Sequence, residues 1–151
     1  MNNLLLALSV GLGGACGAAC RSWCLDAIDA ILAKKKEPQN APAHFEHILS
    51  WLPMAVLLVN VVACFLAGVF GGLGIQGNVQ ALLLTGFCGG FSTLSTVNLD
   101  AARLFSGQVA SAPGRSLAVG RAVGRIHAAI YLFVTYAAAL AAAALGLFLA
   151  L

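Results

Sequence analysis

Glycine, serine and threonine crowd the stretch Thr85, Gly86, Phe87, Cys88, Gly89, Gly90, Phe91, Ser92, Thr93, Leu94, Ser95, Thr96, Val97 and Asn98, in the middle of an otherwise apolar run. Groups of this kind bind ions rather than break bonds. Hydroxyls and helix amino ends offer hydrogens to an anion, and carbonyls released by a helix break offer oxygens to a cation. Adjacent Gly89 and Gly90 permit an unwound turn at the centre of the run. A break facing lipid would cost several kcal/mol for each unsatisfied backbone group, so it has to be enclosed by protein. The plainer alternative is that the glycines let helices approach closely while the hydroxyls bond back to their own helix. Ser92, Thr93, Ser95 and Thr96 occupy more than one helical face, which favours the break.

Three further polar residues stand in apolar surroundings. Asn60 is the amide within Leu58, Val59, Val61 and Val62, and in a membrane helix it needs a partner or a wet cavity. Tyr131 and Thr135 are one helical turn apart and can form a polar strip. A local hydrogen bond explains each singly, and a shared pathway explains all three.

The five acids all lie away from the centre of an apolar run, which leaves proton-coupled transport without a membrane carboxylate. Small multidrug antiporters, also four-span and antiparallel, use an acid in the first helix, and here there is none. No nucleophile, base and orienting group coincide, so the reading is not an enzyme. Cys16, Cys20 and Cys24 have helical spacing but read as small packing residues rather than a metal stripe. His44 and His47, three apart in a polar connection, read as solvated rather than metal-binding.

With 61% hydrophobic and 9% charged residues in 151, the chain has more apolar surface than one soluble core buries. A helix crossing a bilayer needs about 20 apolar residues, and four runs qualify: 4–24, 52–73, 81–99 and 126–151. The predicted fold is therefore an all-α integral membrane domain of four helices, the third broken at its centre. Met1, Asn2 and Asn3 lack the basic residues of a signal peptide, so the first span is expected to be retained. Trp23 suits the membrane interface. Pro38 and Pro42 fall in an exposed connection, into which residues 26–36 could extend the first helix, and Pro53 suits the first turn of the second. Residues 71–74 and 107–114 are breaks rich in glycine. The net charge of +3 is not a nucleic-acid footprint, because no basic stripe with interleaved aromatics accompanies it.

Taken in order, these motifs resemble the Fluc/CrcB family of fluoride channels across all four spans. They are G-x-x-x-G-A-x-x-R ending at Arg21, V-N-x-x-x-x-F from Val59 to Phe65, G-F-C-G-G-x-S/T-T from Gly86 to Thr93, and Y-x-x-x-S/T at Tyr131 and Thr135. The resemblance implies an antiparallel dimer with two anion pores and a central, structural sodium ion. It assigns that sodium to the backbone carbonyls of Gly89 and Ser92 from both subunits. For fluoride it points to Asn60 as an amide donor, to Ser95 and Thr96 on the broken helix, and to Tyr131 and Thr135 as a polar track. Arg21 is expected near the pore mouth, either attracting anions or snorkelling and capping the first span. Where the family has two phenylalanines whose ring edges face fluoride, this chain has Leu94 and Val97, and aliphatic groups lack the positive edge of an aromatic ring.

The function implied is passive fluoride export that gives fluoride resistance. The alternatives are a structural or single-pore partner subunit of a heterodimeric channel, and a small-solute transporter that uses the broken helix as its site. Arg21, Lys34, Lys35, Lys36, Arg103, Arg115, Arg121 and Arg125 all fall on one side of a four-span topology. The positive-inside rule puts that side in the cytoplasm and both termini outside the inner (plasma) membrane. A chain that inserts both ways should carry a balanced bias. The preferred partner is accordingly an oppositely oriented homologue that could also supply the phenylalanines, with the homodimer as runner-up.

Overall fold

The computed structural model describes residues 3–34, 53–106 and 117–151, with side chains for 3–31, 53–106 and 122–151. His44, His47, Pro38, Pro42, Lys35, Lys36 and Arg115 lie outside the described residues, as do the side chains of Lys34 and Arg121. The elements are α1 (Asn3–Lys34), α2 (Met54–Gly72), α3 (Asn78–Gln80), a π-helical segment π1 (Ala81–Cys88), α4 (Gly89–Phe91), α5 (Leu94–Phe105) and α6 (Leu117–Ala150). Among the described residues, four stretches are long and apolar enough to cross a bilayer: Asn3–Ile31, Met54–Gly72, Asn78–Phe105 and Ala122–Ala150. The third stretch is composite, and the described residues contain no strand.

Both outer helices run past their apolar runs, α1 along the extension that residues 26–36 allow. α1 continues past residue 24 because Ala27, Ala30, Leu32 and Ala33 are good helix formers and no glycine or proline intervenes before Pro38. α6 likewise begins at Leu117, shortly after Pro113. Pro53 stands at the entry to α2, where its missing N–H costs nothing, and its carbonyl accepts from Leu57 N at 3.1 Å. The turn into the third span uses Gly74 (φ 63°) and Gly77 (φ 71°), a left-handed geometry that glycine adopts without a β-carbon clash.

The helices pack as two tight pairs, α2 on α6 and α1 on the first half of the third span. In both, glycine brings one backbone onto another. A β-carbon at Gly68 would overlap the Ala143 carbonyl oxygen and lie 2.9 Å from Leu147 N, and one at Gly146 would overlap Phe65 O and lie 3.0 Å from Val69 N. Gly13 and Gly17 present the same surface to the third span, against Leu82 O with Phe87 N, and Phe87 O with Phe91 N, respectively. Gly86 and Gly90 return the contact against Val10 and Gly14. Gly13 and Gly17 are four residues apart, yet the carbonyls they meet, on Leu82 and Phe87, are five apart. The wide turn of π1 absorbs that extra residue and keeps the two glycine ridges in register.

Most large apolar side chains face outward, as bilayer-facing side chains should: Trp23, Leu140 and Phe148 are all over 70% exposed. Two buried clusters lie beneath. Val56, Val97, Ala101, Leu104, Ala128 and Tyr131 join α2, α5 and α6. Val59, Ala63 and Phe91 join α2 to α4.

The third span is broken, but not where the glycine pair suggests. Gly89 is helical (φ −65°, ψ −39°), and the chain leaves the helix at Ser92 (ψ 156°) and Thr93 (φ −142°, ψ 93°). The reason is the division of labour among these residues. Gly90 is occupied by its contact with Gly14, whereas Thr93 has the extended backbone and side-chain oxygen of a helix N-cap and accepts from Thr96 N at 3.3 Å. The close-packing role considered for the glycines is thus correct for Gly86 and Gly90, and the hydroxyl run makes the break.

Candidate ion site at the break

In an unbroken helix the Gly89 carbonyl would accept from Thr93 N, and the Ser92 carbonyl from Thr96 N. Here Thr93 N donates to Asn60 Oδ1 at 2.9 Å, and Thr96 N donates to Thr93 Oγ1. Both carbonyls are therefore released from the ladder. Ser92 Oγ donates to Gly89 O at a long 3.4 Å, and Arg21 Nη1 donates to Ser92 O at 3.1 Å. The N-terminal stump still ends regularly, with Ser92 N on Cys88 O at 2.9 Å.

Asn60 is the clamp of the break from α2. Its Oδ1 holds Thr93 N, its Nδ2 donates to Val56 O at 2.8 Å in its own helix, and the same nitrogen makes a weak 3.5 Å contact with Thr93 O. Asn60 and Thr93 are both buried, so each bond spares an otherwise unsatisfied polar group in an apolar setting. Around Thr93 Oγ1 lie the hydroxyls of Thr96 at 2.7 Å and Ser95 at 3.5 Å. Ser95 is exposed and Thr96 half-buried at the first turn of α5.

Tyr131 and Thr135 sit on α6 at 0% and 3% exposure, and among the described residues neither hydroxyl meets a partner at full hydrogen-bonding geometry; Asn78 Oδ1, at the start of the third span, is the other such buried atom. An unpaired buried hydroxyl carries a desolvation penalty of about 1–3 kcal/mol. Two of them one turn apart form a strip that a hydrogen-bonding guest could satisfy. Leu94 and Val97 part company: Leu94 is 58% exposed, while Val97, at 2%, packs in the cluster that contains Tyr131.

Arg21 does not cap the first span, because α1 runs on to Lys34. It reaches inward from the middle of that helix to the break. Further along α5, Asp100 pairs with Arg103 at 3.7 Å, and the Arg125 guanidinium lies 5.2 Å over the Phe105 ring. The structure thus gathers Gly89, Ser92, Asn60, Ser95, Thr96 and Arg21 about one break, with Tyr131 and Thr135 on the neighbouring helix. Thr93, the hub of these bonds, is the residue that the candidate site lacked. Its signal was present in the sequence, as the hydroxyl three residues before Thr96 at the start of a helical run.

Gly89 and Ser92 contribute neutral carbonyl oxygens, the ligand type that hard cations take. Among the described residues, four stretches long and apolar enough to cross a bilayer, one of them broken, define a multi-pass membrane protein.

The chain belongs to the family described as CrcB-like protein, Camphor Resistance (CrcB), whose model matches residues 8–147. It is 34% identical over 137 residues to the fluoride-specific ion channel FluC of Rhizobium etli, covering 85% of this chain and 92% of that one. Against fluoride-specific ion channel FluC 2 of Rhodococcus jostii the identity is 32% over 139 residues, covering 92% and 93%. The match to fluoride-specific ion channel FluC 1 of Streptococcus pneumoniae is 47% over 57 residues, 38% of this chain, and spans about half (52%) of that relative.

Proposed function

We propose that the chain forms a fluoride-selective channel for passive fluoride export. The observation that carries the reading is the pairing of a broken third span with two buried hydroxyls beside it, at Tyr131 and Thr135, that lack a well-formed hydrogen bond among the described residues. Relatives that match over more than nine-tenths of their length bear the name of fluoride-specific channels, which supports the same ion. Fluoride is small and strongly hydrated, so its path has to replace water with aimed hydrogens, yet bind weakly enough at each station to release the ion. Ser95 and Thr96 at the start of α5, then Tyr131 and Thr135, supply hydroxyls of that kind without a full charge. Asn60 holds the break open and keeps one loosely engaged amide hydrogen, the one directed at Thr93 O, available to the ion. Leu94 and Val97 would flank this path.

In this reading the Gly89 and Ser92 carbonyls of two antiparallel subunits hold a structural sodium ion through the lone pairs that the break frees from the helix ladder. Arg21 apart, the basic residues lie on one side of the topology, which supports a reading with that side in the cytoplasm, both termini outside and the body in the inner (plasma) membrane. That fixed bias, together with Leu94 and Val97 in place of phenylalanines, favours pairing with an oppositely oriented homologue over a homodimer. It is also the specific ground for a second reading, in which this subunit is the structural or single-pore partner of such a pair.

Fluoride efflux from liposomes tests both. Rapid passive efflux from vesicles holding the chain alone supports the channel. Efflux only after addition of an oppositely oriented homologue supports the partner subunit, and slow saturable exchange overturns both in favour of a small-solute transporter.

A further inference from the structure

Arg21 brings a full positive charge into the middle of an apolar span. Its side chain is half-buried and makes no ion pair with a carboxylate among the described residues; it donates to Ser92 O at 3.1 Å. A cation is costly at such a place unless protein oxygens take it up. The receiving oxygen is a carbonyl that the helix break has deprived of its backbone donor, since Thr96 N has turned to Thr93 Oγ1. The approach is built rather than incidental. One turn before Arg21, the absent β-carbon of Gly17 lets α1 close on the backbone of Phe87 and Phe91, directly preceding Ser92.

We infer that Arg21 is a positioning residue, the chain's own resident cation for the break: its guanidinium satisfies the Ser92 carbonyl, so the broken span keeps its shape when no metal cation is bound. The inference rests on the reading of Gly89 and Ser92 as half of a sodium site. The guanidinium and a sodium ion share one oxygen and repel each other, so Arg21 both preforms the site and weakens its grip on the metal. Removing the charge should reverse both effects. The neutral variant gains affinity for sodium and comes to depend on it.

The test is thermal unfolding of the dimer that the full chain forms in detergent, with itself or with an oppositely oriented homologue, in sodium chloride and in N-methylglucamine chloride, a cation too large for carbonyl ligation. The wild type is expected to melt at nearly the same temperature in both. Arg21→Met is expected to melt lower without sodium, by roughly 5 °C or more, and to recover as sodium is titrated in. Arg21→Lys, whose ammonium can donate to the same carbonyl, is expected to behave as the wild type. Arg21→Gln keeps a donor without the charge, should fall between, and carries the test if Arg21→Met does not fold. A wild type as sodium-dependent as these neutral variants, or neutral variants indifferent to sodium, would overturn the inference. Fluoride efflux measured on the same preparations separates the two claims. The melting pattern with no efflux, either from the chain alone or after addition of an oppositely oriented homologue, leaves Arg21's role standing and removes the channel, and efflux without the pattern does the reverse.

Discussion

The two helix pairs start from the same device and end differently. In α2 and α6, Gly68 and Gly146 press two backbones together and both helices stay regular from end to end. Between α1 and the third span, Gly13, Gly17, Gly86 and Gly90 do the same, yet the third span acquires a π segment and then breaks. Close glycine packing therefore does not make a break. What distinguishes the second pair is a set of partners for the freed groups: Asn60 for Thr93 N, Thr93 Oγ1 for Thr96 N, and Arg21 for Ser92 O. A helix can open inside a membrane body where its unsatisfied groups are taken up by neighbouring spans.

The largest effect should come from undoing the packing that both pairs share. Gly90→Leu would drive a side chain into the Gly14 backbone, and because backbone cannot yield as a rotamer can, a loss of roughly 3 kcal/mol or more is expected. Gly146→Leu should be as severe, against Phe65. Gly71→Ala meets nothing within 4 Å and should be neutral to slightly stabilising. Size-exclusion profiles and melting temperatures in detergent check all three. If Gly90→Leu matched Gly71→Ala, the close approach would be wrong.

The next test separates the pairs. Asn60→Leu leaves Thr93 N buried without an acceptor, for a cost of about 1–3 kcal/mol, and should abolish fluoride efflux because the break loses its clamp. Exchange of the Thr93 amide hydrogen should accelerate while amides of α6 stay protected. Uniform loss of protection across both pairs would show that Asn60 stabilises the bundle as a whole. Thr93→Val, a smaller change, removes the cap oxygen shared by Thr96 N and Thr96 Oγ1, at about 1 kcal/mol. Thr93→Ser should restore wild-type melting, and equal melting of the two variants would deny the cap.

The four spans and the existence of a break were legible because apolar run length and a cluster of hydroxyls at membrane depth have few physical solutions. The position of the break was not. Two neighbouring glycines signal freedom of the backbone, but here Gly90 is committed to a helix contact, and Thr93 capping decides where the helix restarts. Nor was the π segment legible, since Ala81–Cys88 is an ordinary apolar sequence whose extra residue per turn is imposed by the register of Gly13 and Gly17 across the interface. Arg21 was visible as an unusual charge, but its acceptor lies 71 residues away. Asn60 and the strip of Tyr131 and Thr135 were found from polarity alone, because a polar group in such surroundings advertises itself.

The two places where phenylalanines were expected differ in what a ring would cost the fold, and at Leu94 that cost is the smaller. Leu94 is over half exposed on the first turn of α5, so Leu94→Phe should change the melting temperature little. Val97 is packed in the cluster with Tyr131, so Val97→Phe inserts volume into a closed core, for about 1–3 kcal/mol. The change that leaves the fold alone is thus the one free to act on the ion. A ring at position 94 would add a positive edge beside Ser95 and Thr96 where the leucine has none, and Leu94→Phe is expected to raise fluoride efflux by a few-fold. The double substitution should gain less than Leu94→Phe alone, because displacing Tyr131 disturbs the hydroxyl strip. If the unaltered chain already passes fluoride rapidly and Leu94→Phe does not change the rate, an aromatic edge contributes nothing here. Leu94 would then belong with the outward-facing residues of α2 and α6 rather than with the break.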